Sequence, residues 1–277
     1  MAAAGKQTKG IQDGHRARKR FGQNFLVDYG VIDRILGATP VAGPVIEIGP
    51  GLGALTVPLA QRGNRVIAIE FDRDVIRHLR VKLDAEGVGR QVELVPQDAL
   101  RLDLAALAEA HGLTPPLTLV GNLPYNIATA LITRLLAQRE QIGEMVFMVQ
   151  REVGTRLAAS AGDSAYGRLS VLTAMHAEVE HLFDVPPEAF NPPPKVDSSV
   201  LRITPRSEPL VPPADQARFE RLVTAAFAQR RKTLRNNLKP LMPASTIEAS
   251  GIDPSLRAQA LDIPAFLTLA RRLDPSR

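Results

Sequence analysis

Asn122, Leu123, Pro124 and Tyr125 are the residues of this 277-residue chain whose types and order most directly imply chemistry. An adenine exocyclic amine is a poor nucleophile, because its lone pair is shared with the ring. The Asn122 side-chain oxygen and a backbone carbonyl at Leu123 or Pro124 can accept both of that amine's N–H bonds. This draws the lone pair out of conjugation and aims it at an electrophile. Pro124 restricts the backbone and so pre-sets the acceptors. Tyr125 offers a face on which an extruded base can stack. Asn and Pro also mark ordinary turns, so the four residues need a second group before they specify a site.

Val45 to Ile48 supplies it. This apolar run carries one acid, Glu47, and is followed by glycines at alternate positions, Gly49, Gly51 and Gly53. The pattern reads as a buried parallel strand, a tight turn and a helix start. Side-chain-free backbone lets a ligand approach closely, and a helix N-terminus offers unpaired N–H groups. A plain strand-to-helix turn is the alternative. The spacing departs from G-x-G-x-x-G, so a pyrophosphate is not the expected ligand. S-adenosylmethionine fits better, with its amino-acid end at the glycine turn. A second strand, Arg65–Glu70, ends in an acid placed to hold the ribose hydroxyls. A third, Gln91–Val95, leads to Asp98, which either caps a turn or accepts from an adenine amine.

These residues need a sheet to hold them. Asp28 caps a predicted helix through Gly37, and further helices are expected at 54–61, 72–85, 102–110, 127–136, 151–159 and 166–175. Leu117–Gly121 and Met145–Gln150 read as the fourth and fifth strands. Ala177–Val185 and Lys195–Thr204 have only a proline-rich loop between them, so they should form an antiparallel edge. Phe190 in that loop is either a core aromatic or the second face of a base sandwich. Pro205–Pro213 reads as a linker, and only helical patterns follow it. One of these, Gln229–Lys239, reads as a helix anchored by Leu234 and Leu238, with Arg230, Arg231, Lys232, Arg235 and Lys239 spread over its other faces.

Composition narrows the class. The net charge is +5 and the isoelectric point about 9.8, which favours an anionic partner, nucleic acid first. The absence of cysteine excludes disulfides, thiolate nucleophiles and cysteine-ligated zinc. His15, His78, His111, His176 and His181 fall in no metal-ligand pattern, so no metal is assigned. No apolar run is long enough to span a membrane, and the first twenty residues lack a secretory core. A cytoplasmic monomer without membrane contact is expected. The cluster Arg18, Lys19 and Arg20 is either a solvated tail or an arm that lies on phosphates.

Arg18–Leu26 (RKRFGQNFL), Glu47–Thr56 (EIGPGLGALT), Asn122–Ile127 (NLPYNI), Tyr166–Leu172 (YGRLSVL), Phe190–Ser198 (FNPPPKVDS) and Arg230–Leu238 (RRKTLRNNL) span nearly the whole chain. In these motifs and their order the chain resembles the ribosomal RNA adenine dimethyltransferases, the bacterial small-subunit (16S) members most closely. The resemblance implies an α/β fold: a Rossmann-like class I methyltransferase sheet with an antiparallel edge hairpin, plus a small all-helical C-terminal domain. The expected division is a basic arm over residues 1–20, a methyltransferase domain over 21–205 and a helical rRNA-contacting domain over 206–277. By the same resemblance the methyl donor S-adenosylmethionine is held by Asn24, Leu26, Gly49, Gly51, Glu70, Asp98 and Asn122. The target base is held by Asn122, Pro124, Tyr125 and Phe190. The implied reaction places two methyl groups on each of two adjacent adenosines near the 3′ end of small-subunit rRNA, within an assembling subunit. Arg18, Lys19, Arg20, Arg230, Arg231, Lys232 and Arg235 are the expected RNA contacts.

Three other readings compete. A nicotinamide oxidoreductase shares the strand, turn and acid, but not the glycine spacing. A non-catalytic rRNA-binding assembly factor shares the fold, and intact Asn122–Tyr125 argues against it. A large-subunit rRNA methylase shares the chemistry and differs in its target.

Overall fold

The structure is a computed structural model that describes residues 24–41 and 43–273, with the backbone alone of residues 11–12 and 15–16. Those four form two short antiparallel strands, β1 (Ile11–Gln12) and β2 (His15–Arg16). Arg18, Lys19 and Arg20 lie outside the described residues. The chain divides into two compact units. The first comprises Met1–Gly154 and Glu180–Pro205, the second Thr155–Val179 and Arg206–Arg277.

The first unit is built on a sheet whose strand order is β6-β5-β4-β7-β8-β11-β9. In chain order these strands are β4 (Val45–Ile48), β5 (Val66–Glu70), β6 (Val92–Pro96), β7 (Leu117–Asn122), β8 (Ile142–Gln150), β9 (Ala177–Val185) and β11 (Ser198–Pro205). Strands β6, β5, β4, β7 and β8 are parallel, and β11 runs antiparallel to β8. Strand β9 closes that edge. All four residues of β4 are buried, as a central strand covered on both faces requires. Sheet order reverses at β4, with β5 on one side and β7 on the other. In an open parallel sheet a ligand crevice forms at such a point, outside the carboxyl ends of the strands.

The connecting helices follow the sequence closely. Asp28 caps α1 (Tyr29–Ala38) by accepting from the Val31 N–H at 3.0 Å, and Val31, Ile32 and Ile35 are buried. Helix α2 spans Thr56–Gln61. Asp72 caps α3 (Arg73–Ala85), which buries Val75, Leu79 and Leu83. Helix α4 (Leu104–His111) ends on left-handed Gly112, and α5 (Ala128–Leu136) buries five of its nine residues. The proline-rich connection between β9 and β11 is partly ordered into secondary structure. Strand β10 (Phe190–Asn191) pairs antiparallel with β3 (Phe25–Leu26), with Phe190 opposite Leu26.

The second unit holds its own helical core. Helix α6 (Arg151–Ala158) begins in the first unit and ends in the second. Then come α7 (Arg168–His176), α8 (Pro213–Ala226), α9 (Leu234–Leu238), α10 (Ala244–Glu248) and α11 (Ile263–Ala270). Phe219, Leu222, Val223 and Phe266 pack with Leu234 and Leu238, and the rings of Phe219 and Phe266 meet edge-on at 6.4 Å. Buried Asp215 joins α8 to α11 by accepting from Arg218 and from Arg271, each at 2.9 Å.

The structure differs from the sequence expectation in two places. The expected boundary at 205/206 leaves residues 155–179 with the sheet. In the structure the Tyr166, Val171 and Met175 side chains belong instead to the helical core. The other is the expected helix over Gln229–Lys239. Only Leu234–Leu238 is α-helical, and residues 229–233 are non-helical. The cause is Asn237, 8 % exposed, whose amide donates to the Ala226 carbonyl at 2.7 Å and the Gln229 carbonyl at 3.0 Å. These bonds satisfy the open end of α8 and turn the chain there.

Candidate active site

A cavity of about 960 Å³ opens at the β4/β7 switch point. It gathers the expected donor residues Asn24, Leu26, Gly49, Gly51, Glu70, Asp98 and Asn122, together with Pro124 and Tyr125. Gly49, Gly51 and Gly53 have φ of 69°, 54° and 81°, a region closed to most side chains. A Cβ at Gly49 would point at the Asn122 carbonyl, 3.7 Å away, so the glycine turn and the Asn122 motif share one wall. A Cβ at Gly53 would lie 2.7 Å from Leu79 of α3, so this glycine lets the helix close on the turn.

The Asn122 amide is held by its donor end, which gives a hydrogen bond to the Asn24 carbonyl at 3.1 Å. That bond leaves Oδ1 as the acceptor. The backbone choice also narrows. The Pro124 carbonyl already accepts from the Ile127 and Ala128 N–H groups, each at 3.1 Å. Of the two carbonyls the sequence offers, that leaves Leu123 as the candidate for the second acceptor. Tyr125 donates to or accepts from the Ser198 hydroxyl at 2.7 Å, and Ser198 is fully buried on β11. Burial raises the Tyr125 phenol above its ordinary value, and the Ser198 bond offsets this in part. The phenol stays neutral, and the ring is pinned at its far end.

Glu70 sits at the end of β5. Its Oε1 accepts from the Phe71 N–H at 2.8 Å and the Asp72 N–H at 2.9 Å. Burial pushes its carboxyl upward, as does the Asp72 charge; backbone bonds from Asp72, Phe71 and Gly51 pull it back. Asp98 has two placements in the structure. It caps a short 3-10 turn through Leu100 N–H at 2.9 Å, and it lines the cavity. Glu47, 1 % exposed on β4, is driven up to about 8, chiefly by burial and further by the Glu70 charge. The Thr56 hydroxyl beside it lowers the value only partly, and neither Glu47 Oε2 nor Thr56 Oγ1 is in hydrogen-bonding geometry with any partner.

Phe190 lies in the core, one of the two placements the sequence leaves open. It is 3 % exposed, packs into the apolar core, and is not among the cavity's lining; its neighbour Asn191 is. The β3–β10 pairing accounts for this, because it turns the ring inward beside Leu26. Arg230, Arg231, Lys232 and Arg235 are exposed on the second unit, and Arg230 donates to the Ser164 carbonyl.

Several contributing residues escape sequence reading. Ser198 and Asn24 act on Tyr125 and Asn122 from 73 and 98 residues away, so no local pattern reveals them. Gly121 had a local signal, a glycine inside a strand. A Cβ there would come within 2.4 Å of the Ile48 carbonyl, so β4 and β7 approach closely just where the cavity opens.

The cavity's charge is opposite to the protein's. Among the described residues Asp33, Glu47, Glu70, Asp72, Glu86 and Asp98 line it, against Lys82 alone. Such a lining disfavours a pyrophosphate and suits a cationic ligand. Among the described residues no cluster of His, Asp or Glu has a metal-holding arrangement, and no helix is long and apolar enough to cross a membrane.

Comparison with known proteins agrees with this geometry. The family model described as "Ribosomal RNA adenine dimethylase" matches residues 14–274. The ribosomal RNA small subunit methyltransferase A of Pseudomonas aeruginosa is 51 % identical over 94 % of this chain and 95 % of its own length. A dimethyladenosine transferase from Plasmodium falciparum superposes with a TM-score of 0.72 at 26 % identity, over 88 % of this chain and 95 % of that one. The 23S rRNA methyltransferase ErmE gives 0.69 at 30 % identity, over 91 % and 100 %.

Proposed function

Because the chain belongs to the ribosomal RNA adenine dimethylase family, we propose that it transfers methyl groups from S-adenosylmethionine to the exocyclic amines of two adjacent adenosines in small-subunit rRNA, two to each. The observation that carries this reading is the shared wall of Gly49 and Asn122, with the Asn122 amide fixed so that its oxygen accepts. The greater identity to the small-subunit relative than to the large-subunit ErmE favours the small-subunit target.

The cavity residues fit the donor. The glycine turn has no side chain to obstruct its amino-acid end, Glu70 stands where ribose hydroxyls would be held, and the acidic lining of the described residues matches its positive charge. Bound there, S-adenosylmethionine supplies an activated methyl group on a sulfonium. Asn122 Oδ1 and the Leu123 carbonyl accept the two N–H bonds of the target amine and turn its lone pair out of the ring. The pinned Tyr125 ring stacks on the extruded base. Acceptors fixed before the base arrives need no reorganisation during transfer. A dedicated base is unnecessary, since the proton can leave after the methyl has moved.

The exposed cations of the second unit, with Arg18, Lys19 and Arg20, hold rRNA phosphates in this account. The protein acts as a cytoplasmic monomer on an assembling small subunit. The experiment is a map of the modified nucleotides after incubation with small subunits from cells lacking the activity. Paired dimethyladenosines in the 3′-terminal hairpin loop support the proposal. Modification confined to other nucleotides, or none at all, overturns it.

A further inference from the structure

Glu47 has no task in the chemistry above, yet it is among the most unusually placed groups in the molecule. It is a buried carboxyl on the central strand, it lines the donor cavity, and its Oε2 has no hydrogen-bond donor. Among the described residues its surroundings offer no countercharge. Strand β5 brings Glu70, β7 brings the neutral Asn122, and α2 brings Thr56 and Gln61. Of the other charged groups around the cavity, Asp33, Asp72, Lys82, Glu86 and Asp98, none acts on it appreciably; the charge it feels is that of Glu70, and it repels. A carboxylate so placed needs either a proton or a cation brought beside it.

The position of Glu47 selects the cation. It opens the Glu47-x-Gly49 turn, where the proposed donor places its amino-acid end, and that end carries an ammonium group. Resting on that reading of the cavity, we propose that Glu47 holds a proton in the donor-free protein and releases it to solvent when the donor's ammonium group arrives beside it. The carboxyl O–H bond breaks, the proton passes to buffer, and an ion pair takes its place. Donor affinity is then coupled to pH by this strand residue, which serves as a positioning group for the donor.

Calorimetry on the full chain tests this with S-adenosylhomocysteine, which keeps the ammonium group and does not turn over. Titrations near pH 7 in two buffers of different ionisation heat should show release of about one proton per ligand bound, and affinity should rise about tenfold from pH 6 to pH 7. Among the described residues no histidine lines the cavity to supply that proton instead. Glu47→Gln should bind with no proton release and with affinity flat over the same range. 5′-Methylthioadenosine lacks the amino-acid end and should bind the unaltered protein without releasing a proton. The proposal fails if S-adenosylhomocysteine binds the unaltered protein with equal heat in both buffers, a result that does not depend on the variant folding. It fails equally if Glu47→Gln releases the same proton, which would place the titration on Glu70. Absence of any nucleoside binding would instead remove the donor-site reading itself, and this inference with it.

Discussion

Tyr125 shows how one side chain is given a single task by a partner far along the chain. Its hydroxyl is spent on Ser198, so the ring face is what remains for a base. Tyr125→Phe should therefore leave methyl transfer within a few-fold. It should also cost about 1–3 kcal/mol of stability, because the buried Ser198 hydroxyl loses its partner. Tyr125→Ala should reduce transfer by roughly ten- to a hundredfold, the worth of one stacked base. Steady-state rates and denaturant midpoints for the two variants separate these effects; equal rate losses would mean that the hydroxyl, not the ring, matters. At this scale the sequence was informative about residue types. Asn122, Gly49 and Glu70 stood out because each sits at the end of a strand pattern. Their orienting partners did not, because Asn24 and Ser198 are brought in only by the closing of the sheet.

The elements carry the site through close backbone approach. Gly121 lets β7 lie against β4 where the cavity opens, since a methyl group there would press on the Ile48 carbonyl. Gly121→Ala should destabilise the protein by about 2 kcal/mol or more, seen as a lower denaturant midpoint, with donor binding weakened in parallel. An unchanged midpoint would show that the two strands separate easily. Element type and order were largely legible, because the parallel strands are apolar runs and Asp28 and Asp72 mark helix starts. Two features were not. The basic segment after α8 has helical periodicity, but the Asn237 amide bonds to Ala226 and Gln229 and turns the chain there. Phe190 on its stiff loop can be read as a core aromatic or as a stacking face, and only the pairing of β10 with β3 shows that it is buried.

At the scale of the whole molecule a basic protein encloses an acidic cavity. The contrast separates two ligands: phosphates for the outside, a cation for the inside. It also shapes stability. Glu47 is raised from 4.5 to about 8 in the folded protein. Between those values the folded state keeps a proton that the unfolded state has lost, so unfolding releases it and becomes easier as pH rises. The contribution is fully present below about 4.5 and gone above about 8, a loss of the order of 4 kcal/mol for such a shift. Glu47→Gln should remove that fall, so its melting temperature should exceed that of the unaltered protein at pH 8 more than at pH 5. A constant difference across that range would contradict it. The division into units was the least legible feature at this scale. The proline linker after β11 marked one boundary, but the apolar face that sends residues 155–179 to the helical core is indistinguishable from a sheet-packing face by periodicity alone.

All of these features converge on the pair of acceptors at the end of β7. The most direct test is single-turnover methyl transfer to small subunits by Asn122→Ala, with donor and subunit binding measured on the same preparation. Because the Asn122 oxygen is proposed to act on the amine as the methyl moves, transfer should fall by about a thousandfold or more, while subunit binding stays within a few-fold and the donor still binds. A variant that binds both partners and transfers methyl groups within tenfold of the unaltered rate would contradict the account.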